Sequence, residues 1–335
     1  MELQHLLSWR DSSAELWRRC LDDTLRFADG LAVEKMDKHI GLLFMDPSLR
    51  TRASMEVAAG RLGCRVTTLA GQDAWQIEWD DGVVMNGQSA EHVREAAAVL
   101  SGYFDLLGVR SFAPLANPGD ELSDTPISRL ARHCTVPVVN LESSAFHPCQ
   151  ALADAAVLSQ HLNGDFSGSR FVLSWAYHPR ALPLAVPQST LLMAARLGTN
   201  VTLTCPPGFL LPDRIMAEAA LLARQHGGSV DINHDLTAAA RGAQVIYAKS
   251  WTPHELATTP DGGAAVRDRY KDWRITDDLM RTTDRGAFMH CLPVRRNVVV
   301  DDAVLDGPSS LVARQARMRV DANAAIITSL LGGAR

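Results

Sequence analysis

The sequence has little that would link it to nucleic acid, a membrane or a metal ion. Its 335 residues carry a formal net charge of −5, which argues against a nucleic-acid surface. The first residues do not resemble a secretory signal, and no apolar run is long enough to span a bilayer. The six cysteines are scattered, with neither metal-ligand spacing nor a compact disulfide framework. These absences predict a cytoplasmic protein with reduced thiols and no metal site.

What the sequence does contain is an alternation of strand-like and helix-like segments. This alternation predicts an α/β protein with two domains, each having a central parallel sheet flanked by helices. A dinucleotide-binding fold is the alternative, but no Gly-x-Gly-x-x-Gly follows the strand at 170–175. We expect the domain boundary within 148–155. The predicted strands are 40–45, 65–69, 104–109, 136–141, 170–176, 200–205, 229–233, 244–248 and 287–290, and a helix is predicted over 88–102.

Two hydroxyls and two guanidiniums follow the first predicted strand, in Pro47-Ser48-Leu49-Arg50-Thr51-Arg52. Ser48 is a good N-cap, and a helix beginning there would favour an anion through its N–H groups and dipole. Arg50 and Arg52 would add planar forks suited to phosphate oxygens. The alternative is a capped surface helix with two solvated arginines. The apolar side of the helix would comprise Met55, Val57 and Leu62.

Three further polar segments also follow predicted strands: Gly108-Val109-Arg110, His147-Pro148-Cys149-Gln150 and His290-Cys291-Leu292-Pro293. Open α/β sheets bind ligands at the carboxyl ends of their strands, so these segments are candidates for one functional site. Each also has a structural alternative. His147 could be a buried histidine bonded to backbone, Cys291 a small buried hydrophobe, and Arg296 a member of a structural ion pair.

Together these segments resemble the signatures of the transcarbamylase family, namely Ser-x-Arg-Thr-Arg, His-Pro-x-Gln and His-Cys-Leu-Pro, in family order. The likeness covers essentially the whole chain. It implies the transcarbamylase fold, no cofactor, and carbamoyl transfer from carbamoyl phosphate to an amine. It further implies a carbamoyl phosphate-binding domain over 1–150, a substrate-binding domain over 151–314, and a final helix at 315–332 that packs back on the first domain.

The resemblance also implies roles for individual residues. The helix start at Ser48 would hold the phosphate, Arg110 and His147 the carbonyl oxygen, and Gln150 with the Leu292 carbonyl the NH2 group. The Leu292–Pro293 bond is a candidate cis peptide. Arg50, Arg110, His147 and Gln150 are the expected catalytic residues. The expected carbamoyl phosphate-binding residues are Ser48, Leu49, Arg50, Thr51, Trp75, Arg110, His147, Gln150, Cys291, Leu292 and Arg319.

The second substrate is expected to be an acylated ornithine. Enzymes that use plain ornithine carry an Asp-x-x-x-Ser-Met-Gly element, which is not found here, whereas 175–180 and 247–251 resemble the acylornithine branch. Glu142 would then meet the amide N–H or the nucleophilic side of the substrate, with His178, Lys249 and Arg295 as cations around its carboxylates. The expected acylornithine-binding residues are Ala90, Glu142, His178, Lys249, Cys291, Leu292 and Arg295.

Within this branch, residue 90 favours N-succinylornithine over N-acetylornithine, which is the alternative. Acetyl enzymes have a glutamate where this chain has Ala90, and a carboxylate there would repel and crowd a succinyl group. Acetyl enzymes of the best-known type also have a lysine where this chain has Val299. The expected product is N-succinyl-L-citrulline, in arginine biosynthesis. A different class of function is an inactive paralogue that only senses carbamoyl phosphate.

Trp75 follows a glycine in a polar loop, where a large aromatic is typical of an interface. In the acylornithine branch a tryptophan in this loop enters the site of the neighbouring subunit, and the enzymes are trimers. The resemblance therefore implies a homotrimer with shared sites and Trp75 acting in trans. The alternative is that Trp75 packs on its own domain.

Overall fold

The computed structural model of the protein describes residues 4–71, 76–112 and 124–332. The chain divides into two compact units: unit 1 comprises residues 1–152 and 318–335, and unit 2 comprises residues 153–317. Each unit contains an all-parallel sheet with helices between its strands, so the predicted α/β class is confirmed. No helix within the described ranges is both long and apolar enough to cross a membrane.

Unit 1 has a four-stranded sheet in the order β2-β1-β5-β6. Gly41 in the central strand is required by close packing, because a Cβ there would lie 2.5 Å from the ring of Phe104. Two short strands, β3 and β4, form a separate parallel pair that the sequence did not predict. The elements are α1 (Ala14–Ala28), β1 (His39–Phe44), α2 (Leu49–Arg61), β2 (Arg65–Ala70), β3 (Ile77–Glu78), β4 (Glu91–His92), α3 (Val93–Tyr103), β5 (Leu106–Ser111), α4 (Thr125–His133), β6 (Val138–Ser143) and α5 (Pro148–His161).

Two expectations for unit 1 are corrected. The helix predicted over 88–102 begins only at Val93, because the preceding two residues pair with β3. The predicted apolar side of α2 is right for Met55 and Leu62, which are fully buried, but wrong for Val57, which is 52% exposed. The reason is helical geometry, since Val57 lies two residues from Met55 and therefore on another face.

Unit 2 has a five-stranded sheet in the order β11-β10-β7-β8-β9. Val172, Ile246 and Phe288 from its three neighbouring strands are buried in one apolar cluster. The elements are β7 (Arg170–Trp175), α6 (Ala185–Arg196), β8 (Asn200–Thr204), α7 (Asp213–Gln225), β9 (Ser229–Asn233), α8 (Leu236–Ala240), β10 (Val245–Lys249), α9 (His254–Ala257), α10 (Ala264–Arg267), a 3₁₀ turn (Asp268–Tyr270), α11 (Asp277–Arg281), β11 (Ala287–Met289), α12 (Asp302–Leu305) and α13 (Val312–Leu331). The division between the units falls within α5 and α13.

Candidate functional site

The amino terminus of α2 lies directly after β1, as the first motif predicted. Ser48 is the N-cap, and its hydroxyl accepts a hydrogen bond from the Thr51 N–H at 3.3 Å. There is no acidic side chain in the first turn, so the helix dipole favours an anion here. Arg52 is held by Glu56 at 2.9 Å, four residues along the helix. Arg50, which the motif assigns to the phosphate, lies in the first turn of this helix.

The last helix returns to α2 within unit 1. The buried guanidinium of Arg319 donates to the Thr51 hydroxyl at 2.9 Å, and Asn323 donates to the Ser54 hydroxyl at 3.1 Å. An ion pair of 2.6 Å joins Arg61 to Asp321 in the same helices. The structure thus brings together Thr51 and Arg319, two residues assigned from the sequence to carbamoyl phosphate.

Arg110, Glu142 and His147 form a cluster at the carboxyl end of the unit 1 sheet. The β5–β6 register shifts at Arg110, which pairs with Glu142, so β6 contains a β-bulge, and Glu142 adopts a φ of 146°. Its carboxylate forms an ion pair with Arg110 and lies 3.7 Å from Nε2 of His147. Arg110 also stacks over Phe112, with 4.8 Å from its guanidinium carbon to the ring centroid. Glu142, expected to meet the second substrate, here forms an ion pair with Arg110 and lies beside His147, the two groups expected to bind the carbonyl oxygen.

A buried asparagine shapes the backbone on both sides of this cluster. Asn140 is fully buried, and its amide NH2 donates to the carbonyl oxygens of Leu7 and Phe146 at 2.9 and 3.2 Å and to the Ser143 hydroxyl at 2.8 Å. Its side-chain oxygen accepts from the Glu142 N–H at 2.9 Å. Asn140 therefore fixes both the bulge that carries Glu142 and the turn that leads to His147.

Asp124 supports the same turn. Its carboxylate accepts from the Ser143 hydroxyl at 2.6 Å and from the Ala145 N–H at 2.9 Å. Burial raises the pKa of Asp124 to about 6, because the charged form has lost its water. Because the folded state holds this proton more tightly than the unfolded state does, the protonated carboxyl stabilises the protein at low pH. That stabilisation is lost as the pH rises through about 6.

We therefore expect Asp124→Asn to stabilise the protein at pH 8, by up to about 3 kcal/mol, and to have no effect below about pH 4. The asparagine oxygen can accept from the Ala145 N–H while its NH2 donates to the Ser143 hydroxyl oxygen, without charge, and asparagine tolerates the φ of 47° at this position. Urea unfolding at the two pH values measures the difference. Equal effects at both pH values would show that the charge of Asp124 is not its cause.

Helix α5 begins at Pro148 and carries the rest of the second motif. The indole N–H of Trp9 donates to the Pro148 carbonyl at 2.8 Å, and Gln150 is buried in the first turn. Burial raises the pKa of Cys149 to about 12, and its thiol lies 3.6 Å from the Asn140 carbonyl oxygen. Cys149 is therefore a structural thiol and not a nucleophile.

In unit 2, the third motif forms a turn after β11. The Leu292–Pro293 bond is cis, as the resemblance implied, and Leu292 has a φ of 57°. The Leu292 N–H donates to Nδ1 of His290 at 2.9 Å, and the His290 N–H donates to the side-chain oxygen of Gln315 at 2.9 Å. Gln315 in turn donates to Asp154 at 2.7 Å. This buried chain of hydrogen bonds fixes the backbone of Cys291 and Leu292, of which Cys291 is partly exposed.

The cationic residues predicted for the second substrate also lie in unit 2. Lys249 ends β10, and Arg295 donates from Nε to Nε2 of His178 at 3.0 Å. Burial lowers the pKa of His178, and so do the neighbouring cations, Arg295 first, which disfavours a positive charge on this ring. Its role beside the second substrate stays a prediction. Arg296 bonds to Asp302 and Asp306 at 2.8 and 2.6 Å, which confirms the structural alternative for that residue.

Ala90 and Trp75 are the remaining predicted residues. Ala90 is exposed in unit 1, where its N–H donates to the Gln76 carbonyl at 3.1 Å just before β4. Trp75 lies outside the described residues. Among the residues that the structure does describe, no group of three or more His, Cys, Asp or Glu side chains could hold a metal ion.

Two family models match the chain. Residues 4–160 match the carbamoyl-P binding domain of aspartate/ornithine carbamoyltransferase, and residues 185–330 match its Asp/Orn binding domain. The chain belongs to the aspartate/ornithine carbamoyltransferase family. The predicted resemblance is confirmed, and the protein is a carbamoyltransferase.

Individual relatives within the family point to two acyl substrates. The N-acetylornithine carbamoyltransferase of Xanthomonas campestris pv. campestris is 40% identical over 339 residues, 100% of each chain. The N-succinylornithine carbamoyltransferase of Bacteroides thetaiotaomicron is 33% identical, over 89% of this chain and 88% of its own. A glutamate-to-alanine variant of N-acetyl-L-ornithine transcarbamylase, crystallised with carbamyl phosphate and N-succinyl-L-norvaline, matches with a TM-score of 0.94 and 38% identity, over 98% of this chain and 100% of its own.

Sequence reasoning did not identify the buried residues that support this candidate site. Asn140, Asp124, Gln315 and Asp154 are all buried and polar, and each joins segments that are distant in the chain. The only available signal was a polar side chain within an otherwise apolar stretch, such as Asn140 in the run 136–141. Such a residue must be hydrogen-bonded when buried, but the sequence does not identify its partner.

Proposed function

We propose that the protein transfers the carbamoyl group of carbamoyl phosphate to the side-chain amine of an N-acylated L-ornithine, giving an N-acylcitrulline and phosphate. The observation that carries this proposal is the pairing, in unit 1, of an anion-favouring helix start at Ser48 with the Arg110–Glu142–His147 cluster. Unit 1 would bind carbamoyl phosphate, and unit 2 would bind the acylornithine through Lys249 and Arg295.

The chemistry follows from the residue types. The amine lone pair attacks the carbonyl carbon, the carbon–oxygen bond to phosphate breaks, and the amine loses a proton. Arg50 and the α2 N–H groups would stabilise the leaving phosphate, as groups aimed at developing charge do. Arg110 and His147 would bind the carbonyl oxygen, which requires Arg110 to exchange at least part of its bond to Glu142 for substrate. Gln150 and the Leu292 carbonyl are proposed partners of the carbamoyl NH2.

N-acetyl-L-ornithine is the first candidate for the second substrate. The relative named for it is more similar to this chain, at 40% identity, than the relative named for N-succinylornithine, at 33%. N-succinyl-L-ornithine is the second candidate, and Ala90 favours it. The glutamate-to-alanine variant crystallised with N-succinyl-L-norvaline supports the idea that a small side chain accommodates the succinyl group.

The decisive experiment is an assay of citrulline-type product with ornithine, N-acetylornithine and N-succinylornithine side by side. We expect one or both acylated substrates to be carbamoylated with far higher kcat/KM than ornithine. A preference for plain ornithine would overturn the substrate class. Binding of carbamoyl phosphate without turnover of any amine would instead support the inactive, sensing paralogue.

Ala90→Glu should shift selectivity towards the acetyl substrate. A carboxylate near the succinyl tail would repel it, so kcat/KM for N-succinylornithine should fall by about tenfold or more, and the acetyl substrate should lose less. The ratio of the two kcat/KM values is the quantity to measure. Gln88→Glu is the matched control, because it adds the same charge two residues earlier in the exposed loop. An unchanged ratio would remove Ala90 from the acyl pocket.

We also propose a homotrimer in which Trp75 completes the site of a neighbouring subunit. Leu49 and Val57 on α2 are 81% and 52% exposed, which suits a surface covered by another copy. Mixing Trp75→Ala with Arg50→Ala subunits should restore part of the activity, because some sites would then be wild type at both positions. Sedimentation that shows an active monomer would contradict this proposal.

A further inference from the structure

The two ring nitrogens of His178 have different hydrogen-bond partners. Nε2 lies 3.0 Å from Nε of Arg295, which always carries a hydrogen, so Nε2 must accept. Nδ1 lies 3.0 Å from the carbonyl oxygen of Arg180, which can only accept, so Nδ1 carries the hydrogen. The Arg180 N–H also lies 3.0 Å from Nδ1, but it cannot form a hydrogen bond there while Nδ1 carries the hydrogen, and Nε2 cannot carry it because Nε2 cannot donate to Arg295. With one donor and one acceptor the ring is neutral.

The charges around His178 favour the same state. Arg295, Lys249 and Arg267 are the charged side chains that act on it, and all three are positive. Together with burial they lower the pKa of His178. The Asp268 carboxylate of the adjacent 3₁₀ turn is bonded instead to the Tyr177 hydroxyl at 2.8 Å and to Lys271 at 2.9 Å.

Arg267 fixes the backbone of the loop that carries His178. This arginine is only 3% exposed, and it donates from Nε to the His178 carbonyl at 3.2 Å and from Nη2 to the Pro179 carbonyl at 3.4 Å. Its Nη1 donates to the Gly262 carbonyl, which ties the loop to the turn before α10. The His178 ring is therefore presented by a braced loop, whereas Arg295 itself is exposed.

We propose that His178 is an uncharged positioning residue that aims the guanidinium of Arg295 at a carboxylate of the acylornithine. This inference rests on the proposed function and deepens it. When Nε of Arg295 is bonded to His178, its two terminal nitrogens are left as a pair of parallel donors. A carboxylate binds such a pair in bidentate geometry. Without that bond, the substrate itself would have to order the exposed arginine side chain. The conformational entropy lost in doing so would weaken binding.

The test measures the binding of N-acetyl-L-norvaline and N-succinyl-L-norvaline by calorimetry, with carbamoyl phosphate saturating. Both analogues lack the reacting amine, so no turnover occurs and the titration of that amine does not enter. We expect His178→Gln to stay within about threefold of wild type, because its amide oxygen can accept from Arg295. His178→Leu and His178→Lys should both weaken binding by roughly ten- to hundredfold, the range for losing a hydrogen bond to a charged group.

Two further measurements separate positioning from a direct charge contact. The Kd of the wild type should change by less than about twofold between pH 6 and 8, since a neutral ring has no proton to lose. His234→Gln is the matched control, because His234 also bonds a backbone carbonyl, that of Cys205 at 2.7 Å, and belongs to no proposed site. Its affinity should equal that of wild type.

Tight binding by His178→Lys together with weak binding by His178→Gln would overturn the inference in favour of a cationic histidine. So would a Kd that rises about tenfold from pH 6 to 8. Wild-type affinity in all three His178 variants would show that the residue does not position Arg295. A wild-type enzyme that carbamoylates no acylornithine and binds neither analogue would overturn the proposed function itself.

Discussion

Replacing Arg50 by alanine should lower kcat by roughly 10²–10³ while the protein stays folded. Arg50 lies in the first turn of α2, whose Ser48 cap and lack of acidic residues already favour an anion. Charge on the phosphate oxygens grows as the carbon–oxygen bond breaks, so the guanidinium contributes more in the transition state than in the ground state. The loss should therefore appear mainly in kcat, and less in the KM of carbamoyl phosphate.

Arg65→Ala is the control for this experiment. Arg65 begins β2, its side chain is 70% exposed, and its ion pair with Asp37 is long, at 3.9 Å. Because it lies at the amino end of its strand, the parallel sheet places it at the edge opposite the candidate site. We expect near wild-type kcat for Arg65→Ala. An Arg50→Ala enzyme with more than about a tenth of wild-type kcat would remove Arg50 from the phosphate site.

Asn140→Leu should have the largest effect on stability, lowering the free energy of unfolding by about 3–5 kcal/mol. Leucine has a similar volume but no polar atoms. It would remove the side-chain bonds to the Leu7 carbonyl and the Glu142 N–H, whereas the Phe146 carbonyl would keep its bonds from the Ser143 N–H and hydroxyl. Each unsatisfied buried group costs about 1–3 kcal/mol. Urea unfolding of the variant, compared with wild type at one pH, measures the loss.

The same variant should lose activity at temperatures where it remains folded. Its Glu142 bulge would lose a fixed position, and with it the ion pair with Arg110 and the placement of the carboxylate beside His147. Asn200→Leu serves as the control, since Asn200 is only half-buried and accepts one bond from Ser229, at 3.2 Å. A loss in Asn140→Leu no larger than in this control would show that the Asn140 bonds contribute little.

Much of the fold could be predicted because its signals are local. Nine apolar runs became the nine strands of the two large sheets, and Ser48 capped its helix as its chemistry predicts. The pairing of Ile77–Glu78 with Glu91–His92 could not be predicted, since two-residue strands have no measurable periodicity.

The site was predictable where a motif places several chemical groups close together in the chain, and unpredictable where tertiary contacts decide. Arg110 and His147 were expected from their motifs, but the position of Glu142 beside both of them depends on the β-bulge. The lowered pKa of His178 could not be predicted, because it depends on burial and on cations supplied by other segments of unit 2. The relative placement of side chains from distant segments cannot be predicted from a short stretch of sequence.

Unit 1 contains both the first and the last segments of the sequence, and this has a consequence for synthesis on the ribosome. Residues 1–152 complete their unit only when residues 318–335 are available, and Arg319, Asp321 and Asn323 all bond to α2 from that late segment. At ordinary translation speed, the intervening residues delay completion by roughly ten to thirty seconds. Throughout that interval unit 1 lacks its final helix, although most of its sequence emerges first. Vectorial synthesis thus allows unit 2 to finish folding before unit 1, against the order of the chain.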